Sequence, residues 1–320
     1  MTKRYTNTFL TYYIHILFMT EKPCDYTSIQ SHKVHNKNIL ITGSTQGIGE
    51  QAAISLAKQG ANVYIHGRNE NKGREIVNTF QKEFGTKSKF FQCDLSSLPE
   101  VRATSELIKK ELDHLDILIH NAGGYFRGKK FGSNNIEYTF TVNYLSGFLL
   151  TMKLMPLLNK KDLSQIILSS SSAHKSIDKL DLNEVETRKN KWESYARSKL
   201  ANIMFSISLA RELDDKNILT STVHPGLIID SGLLKHIPGP FDTIGSYTTR
   251  IPLPGIATKA EGAATLINAI YKNRPEYSSI YYNEFVPERP SNLAQNTTKQ
   301  DELWEYSINS TNITLPKNIR

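Results

Sequence analysis

Asn38-Ile-Leu-Ile-Thr-Gly-Ser-Thr-Gln-Gly-Ile-Gly49 passes from a short apolar run into a turn holding three glycines, and Ile48, Ala52, Ala53, Leu56 and Ala57 then recur at helical spacing. That order is strand, loop, helix. Glycines at 43, 47 and 49 suit a place where backbone comes close to a pyrophosphate and the first N–H groups of a helix face its charge. Gly43 permits the turn, Gly47 the close approach and Gly49 the packing of helix on sheet, with Ser44, Thr45, Gln46 and Ile48 completing the loop. A glycine-rich turn is also an ordinary strand-to-helix connection. Here the strand before it and the amphipathic helix after it favour a nucleotide site.

Outward from this unit, Ala61-Asn-Val-Tyr-Ile-His66, Lys89-Phe-Phe-Gln-Cys93 and Leu115-Asp-Ile-Leu-Ile-His120 read as the next strands. Gln165-Ile-Ile-Leu-Ser169 and Leu219-Thr-Ser-Thr-Val223 follow, with Ser279-Ile-Tyr-Tyr282 as a seventh. Repeated β-α-β with right-handed crossovers predicts an α/β, doubly wound Rossmann fold, a single domain of about seven parallel strands flanked by helices. Ligands in such a sheet sit outside the strand C-termini. The expected division is a leader over 1–35, a nucleotide-binding domain over 36–290, and a polar tail over 291–320 with a short helix at 300–307.

The 320 residues, 39% of them apolar, suffice for a substantial core and exclude a disordered or fibrous chain. Two cysteines, Cys24 and Cys93, offer neither zinc spacing nor a disulfide framework, which points to a reducing compartment, with the cytosol as default. A formal charge of +8 comes from dispersed Lys and Arg with no aromatic interleaving, so nucleic acid is not the expected partner. Residues 9–19 are partly apolar but about half the length of a spanning helix. They read either as a peripheral membrane-contacting segment or as a leader before a start at Met19. The Asn-x-Ser/Thr triplets at Asn296, Asn309 and Asn312 would accept glycans only in a secreted protein and are read as chance.

After the second strand stands Gly67-Arg68-Asn69, where a site built for a ribose diol would carry a carboxylate. Arg68 instead suits charge-assisted bonds to a 2′-phosphate, which makes NADP(H) the expected cofactor. Further on, Tyr195 and Lys199 lie one helical turn apart, a phenol with a cation at its side. Tyr125 and Lys129 repeat the spacing, but Gly123, Gly124 and Gly128 deny them a helix, so Tyr125 reads as a loop aromatic. Apolar residues at Ala196, Leu200, Ile203, Ile207 and Ala210 place Tyr195 at the opening of a helix. An ammonium beside the phenol is expected to favour phenolate and bring proton transfer nearer neutrality, which suits alcohol–ketone chemistry.

With the glycine loop, the Tyr-x-x-x-Lys helix and a serine cluster at the end of the fifth strand, residues 36 to 290 resemble the classical short-chain dehydrogenase/reductase family. The similarity is strongest to its retinol-dehydrogenase-like and WW-domain-oxidoreductase-like branch, through Asp94-Leu-Ser96, Asn143-Tyr-Leu-Ser-Gly147, Ser170-Ser-Ser-Ala-His174 and His224-Pro-Gly226. The resemblance implies that Ser171 bonds the substrate oxygen, Tyr195 passes the proton, Lys199 binds the nicotinamide ribose and Asn143 holds a relay water. Asp94 and Leu95 would contact adenine, Asn121, Ala122 and Gly123 would support the cofactor, and Pro225 and Gly226 would lead the chain past the nicotinamide. A homodimer is compatible with it, as are monomers.

Three departures stand against that pattern. His120 replaces an asparagine and reads as a packing residue; Leu227-Ile-Ile-Asp-Ser231 follows Gly226 where a threonine is common; and 175–191 is a long charged insertion. Leu227, Ile228, Ile229, Leu233, Leu234, Ile237, Phe241 and Tyr247 have the composition of a lid over an apolar pocket, so a lipophilic alcohol or carbonyl compound is the expected substrate. The competing reading is an NADP(H)-binding sensor or interaction protein in which catalysis has decayed.

Overall fold

The computed structural model describes residues 33–126, 131–158, 163–185, 191–213, 217–228, 257–273, 278–317 and 319. Its strands are β1 (Asn38–Ile41), β2 (Asn62–Gly67), β3 (Phe90–Gln92), β4 (Ile117–His120), β5 (Ser164–Ser169), β6 (Ile218–His224), β7 (Ile280–Asn283) and β8 (Val286–Glu288). They form one sheet in the order β3-β2-β1-β4-β5-β6-β7-β8. The first seven run parallel, and β8 returns antiparallel to β7. The order reverses beside β1, with Ile41 in register with both Ile65 and Ile119, and a doubly wound sheet opens its ligand crevice at that point.

The central strands read as unbroken Ile/Leu runs because both faces are covered. Leu40 and Leu118 point to one core with Phe148, Leu149 and Leu200, whereas Ile39, Ile41, Ile117 and Ile119 point to the other with Ala52, Leu56, Phe80 and Leu266. Helices α1 (Gly47–Lys58), α2 (Glu70–Phe84) and α6 (Lys259–Lys272) supply the second face. On the first lie α3 (Leu98–Glu111), α4 (138–154), α5 (Lys191–Glu212) and α7 (Thr297–Thr311). α4 enters as Tyr138–Phe140, widens into a π-helical turn at Thr141–Leu145 and continues as Ser146–Leu154.

Three elements differ from the sequence reading. α5 starts at Lys191, so Tyr195 lies in its second turn rather than at its opening; the first turn, Lys191-Trp-Glu-Ser194, has one apolar residue and so no apolar period. α7 is nearly twice the expected length, held between an Asn296 cap and a left-handed Asn312. Its Ser307 and Thr311 are buried because each hydroxyl donates to the carbonyl four residues back, at 2.7 Å. The helix packs into the first core, with Trp304 edge-on to Phe148 at 5.5 Å between ring centroids and Ser307 bonded to the Tyr144 hydroxyl at 2.6 Å. β8 was not anticipated; its Pro287 is tolerated on a sheet edge.

The leader over 9–19, Cys24, Lys129, the segment from Ile229 to Tyr247 with Asp230 and Ser231, and 186–190 of the insertion lie outside the described residues. Among the described residues no helix is long and apolar enough to cross a membrane.

Candidate active site

Two loops at the C-terminal ends of β1 and β4 build the phosphate side. Asn121 donates its amide to the carbonyls of Thr42 and Gly43 at 3.0 and 3.2 Å, and Ala122 N–H bonds the Thr42 hydroxyl at 3.0 Å. Ser44 turns inward, giving its hydroxyl to the Ile41 carbonyl and accepting from His66 N–H. Two glycines are required here for different reasons. A Cβ at Gly49 would stand 2.4 Å from the Asn121 amide nitrogen and 2.5 Å from the Gly43 carbonyl oxygen, so only glycine lets α1 sit this close to the loop. Gly47 has φ +66° and nothing within 4 Å of where a Cβ would be, which leaves its backbone bare to an incoming group. Gln46 provides no side-chain cap for α1, so the first N–H groups of the helix lack a side-chain acceptor. That arrangement fits a pyrophosphate.

At the end of β2, Arg68 and Asn69 are both exposed. The Asn69 side chain is committed to capping α2, accepting from Lys72 N–H at 3.0 Å, while the Arg68 guanidinium has no ion pair among the described residues. Past β3, Asp94 closes a local turn by accepting from Ser96 N–H, and Leu95 is a core residue. Pro225 and Gly226 follow β6, Gly226 with φ +87°.

On the chemical side, Ser171 is the extended residue that caps a 3-10 turn at Ser172–Ser176, and its hydroxyl accepts from Ala173 N–H. The same hydroxyl stands close enough to the Tyr195 phenol to act on its ionisation. One turn along α5, the Lys199 ammonium lies 5.7 Å from the centre of the Tyr195 ring and donates to the Ser169 carbonyl at 3.0 Å. Asn143 sits in the π turn of α4, and its partners are distant in sequence. Its Oδ1 accepts from Gly124 N–H at 2.9 Å, and its Nδ2 donates to the Gly124 carbonyl at 3.0 Å and the Ser198 hydroxyl at 2.9 Å. The amide therefore clamps the loop after β4 onto α5. A Cβ on Gly123 would meet both Asn143 Oδ1 and Lys199 Nζ, at 3.1 and 3.3 Å, so these two groups converge there.

Electrostatics correct one expectation. Burial pushes the Tyr195 phenol up to about 12, with the Ser171 hydrogen bond pulling weakly the other way. Lys199 is itself lowered to about 8 by burial. A phenolate here would forfeit its hydration, and the neighbouring ammonium faces the Ser169 carbonyl, so the phenol stays protonated at neutral pH. His120, at the end of β4, is buried, bonds Thr151 at 2.8 Å and is lowered by burial to about 3.

Sequence reasoning passed over four neighbours of the site. Tyr125 and Trp192 lie near the Tyr195 ring, at 6.3 and 6.0 Å between centroids. Ser170 donates to the Lys199 carbonyl at 2.8 Å, and His174 bonds the Ser171 carbonyl. Tyr125 carries no periodic signal, and the run of four serines hides which hydroxyl faces which helix.

A family model described as short chain dehydrogenase matches residues 37–238. The chain is 31% identical over 293 residues to Retinol dehydrogenase 14 of Mus musculus, covering 86% of this chain and 85% of that one. It is 36% identical over 277 residues to a protein of Streptomyces sp. (strain C5) named as a daunorubicin C-13 ketoreductase, covering 85% and 91%. A short chain dehydrogenase from Burkholderia cenocepacia J2315, solved in complex with NADP, superposes with a TM-score of 0.61 at 22% identity over 79% of this chain and 97% of that one, a likeness of fold. The chain belongs to the short-chain dehydrogenase/reductase family, in its retinol-dehydrogenase-like branch. Its members are oxidoreductases that work with a nicotinamide dinucleotide.

Proposed function

We propose that the protein exchanges a hydride between NADP(H) and the alcohol or carbonyl group of a lipophilic small molecule. The observation that carries the reading is the half-buried Ser171 hydroxyl set against the buried Tyr195 phenol, with Lys199 one turn along α5. The bound nicotinamide would supply or accept the hydride, leaving the protein to orient two reactants and handle one proton. A carbonyl oxygen within reach of both hydroxyls would accept from Ser171 and take its proton from Tyr195 Oη. Lys199 would then stabilise the phenolate left behind. With the phenol protonated at neutral pH, carbonyl reduction can draw its proton directly from Tyr195, and alcohol oxidation needs that proton removed first.

The glycine loop and the start of α1 would hold the pyrophosphate, Lys199 and Tyr195 the nicotinamide ribose, and Arg68 the 2′-phosphate that distinguishes NADP(H). Support for a lipophilic substrate comes from the aromatic rings of Tyr125 and Trp192 packed near the proton donor. Retinol and the C-13 ketone of daunorubicin, the compounds in the relatives' names, are of that kind.

NADPH oxidation followed spectrophotometrically with a panel of aromatic, aliphatic and small polar carbonyls tests the proposal. Wild type should turn over the lipophilic members, and Tyr195→Phe should lose at least about 100-fold in turnover while still binding cofactor. Cofactor binding with no turnover in either protein would instead mark a sensor, turnover of small polar carbonyls alone would sink the lipophilic assignment, and a preference for NADH would sink the role of Arg68.

A further inference from the structure

His174 is fully buried three residues beyond Ser171, its ring edge-on to Tyr281 at 5.0 Å between centroids. The Ser171 carbonyl accepts from His174 N–H at 3.1 Å and lies 2.7 Å from Nδ1. A carbonyl only accepts, so Nδ1 must carry the ring proton. Nε2 is then a bare lone pair, and it takes the backbone N–H of Ser291 at 3.2 Å. One neutral tautomer satisfies both contacts.

The first bond alone would be an ordinary local turn contact. The second joins it to a segment 117 residues away, just ahead of α7. We infer that His174 is a positioning residue for Ser171, an imidazole rod that fixes the serine's backbone against the chain near Ser291 and so holds its hydroxyl on Tyr195. The inference rests on the oxidoreductase reading above, in which Ser171 bonds the substrate oxygen. Lys175 and Glu288, which pair with each other, and the imidazole of His224 are the charged and titratable groups that act on the ring. Burial is the largest influence and holds the ring neutral, as the tautomer requires. Protonation would set an Nε2–H against the Ser291 N–H and break the tie.

Three variants separate positioning from mere support, because asparagine and glutamine each reproduce one end of the imidazole. In His174→Asn the amide nitrogen stands near Nδ1 and can still donate to Ser171; in His174→Gln the amide oxygen stands near Nε2 and keeps only Ser291; His174→Leu keeps neither. Expected for His174→Leu is a loss of roughly 10- to 100-fold in kcat per folded enzyme, with the KM for NADPH unchanged. His174→Asn should recover most of it and lose the acid limb of the wild-type kcat profile, while His174→Gln should resemble His174→Leu. Long-range proton–nitrogen NMR of the resting wild type should report the Nδ1–H tautomer. The inference is overturned by the Nε2–H tautomer, by rescue with glutamine rather than asparagine, or by an unchanged kcat in all three while wild type turns over. A wild type inactive on every carbonyl overturns the proposed function instead, and this role with it.

Discussion

Lys199→Met should make the protein more stable at pH 7 while removing its activity. The Lys199 ammonium is 4% exposed, is lowered from 10.5 to about 8 by burial, and has no carboxylate partner among the described residues. A shift of that size corresponds to about 3 kcal/mol against the charged form. The folded protein releases this proton near pH 8 and the unfolded chain near 10.5. Between those values the unfolded state binds more protons, so stability rises with pH, and the full penalty applies below about pH 8. Methionine keeps the unbranched length without the charge. It forfeits the bond to the Ser169 carbonyl, about 1.5 kcal/mol for a charged donor, but that carbonyl keeps Asn202 Nδ2 at 3.0 Å and is not orphaned. The net gain is then about 1–2 kcal/mol at pH 7, a few degrees in Tm for a domain of this size. Urea midpoints of both proteins without cofactor at pH 7 and 9.5 provide the assay, and the methionine advantage should shrink at the higher pH as the wild-type penalty is relieved. A variant less stable at pH 7, or a difference indifferent to pH, would refute the claim that this lysine is held charged against burial.

Three further outcomes are expected. Gly49→Ala drives a methyl group into the Asn121 amide and the Gly43 carbonyl, so NADPH affinity measured by fluorescence titration should fall at least about 10-fold; unchanged affinity would mean the loop is not the pyrophosphate site. Trp304→Ala opens the α7 contact with Phe148 and Phe205 and should cost about 3–5 kcal/mol in urea denaturation, a loss under about 1 kcal/mol placing α7 outside the cooperative core. With Tyr195 raised to about 12, its protonated form persists through neutral pH, so the reduction rate should not fall between pH 8 and 9 for want of a phenolic proton, whereas alcohol oxidation should climb as the proton becomes removable. Opposite slopes in initial-rate profiles would remove Tyr195 from the proton-transfer role.

The parallel sheet was legible because each buried strand writes its own signature: Ile39 to Ile41 and Ile117 to Ile119 are apolar at every position, and Gly49 stands where a Cβ would strike the loop. What sequence periodicity missed was burial achieved by polar groups. Ser307 and Thr311 read as solvent-facing but are sealed inside by bonds to their own helix, which is why α7 looked like a scrap of a polar tail. For the site, the Tyr195–Lys199 pair could be read directly and Ser171 only through the family resemblance, yet the direction of the Tyr195 shift could not, since it depends on how much water reaches the phenol. Asn143 could be named from the family resemblance as holding a relay water, but spacing alone showed only an amide in a helix. Its clasp on Gly124 and Ser198 arises from three separate elements meeting, and no local spacing encodes that.

The π turn at Thr141–Leu145 gives α4 a sensitivity to length rather than to composition. Such a turn holds one more residue than an α-helical path would, so the faces before and after it are offset by about 100°. Phe148 beyond it reaches Phe205 and Trp304, while Asn143 within it reaches the loop after β4. Deleting a single residue here would regularise the helix and force a choice between those two engagements, even though every contacting side chain were still encoded. A frame-preserving deletion in 141–145 is therefore a harsher lesion than most substitutions in the same turn, and gaps placed there when related chains are aligned change the geometry of the site, not merely the length of a helix.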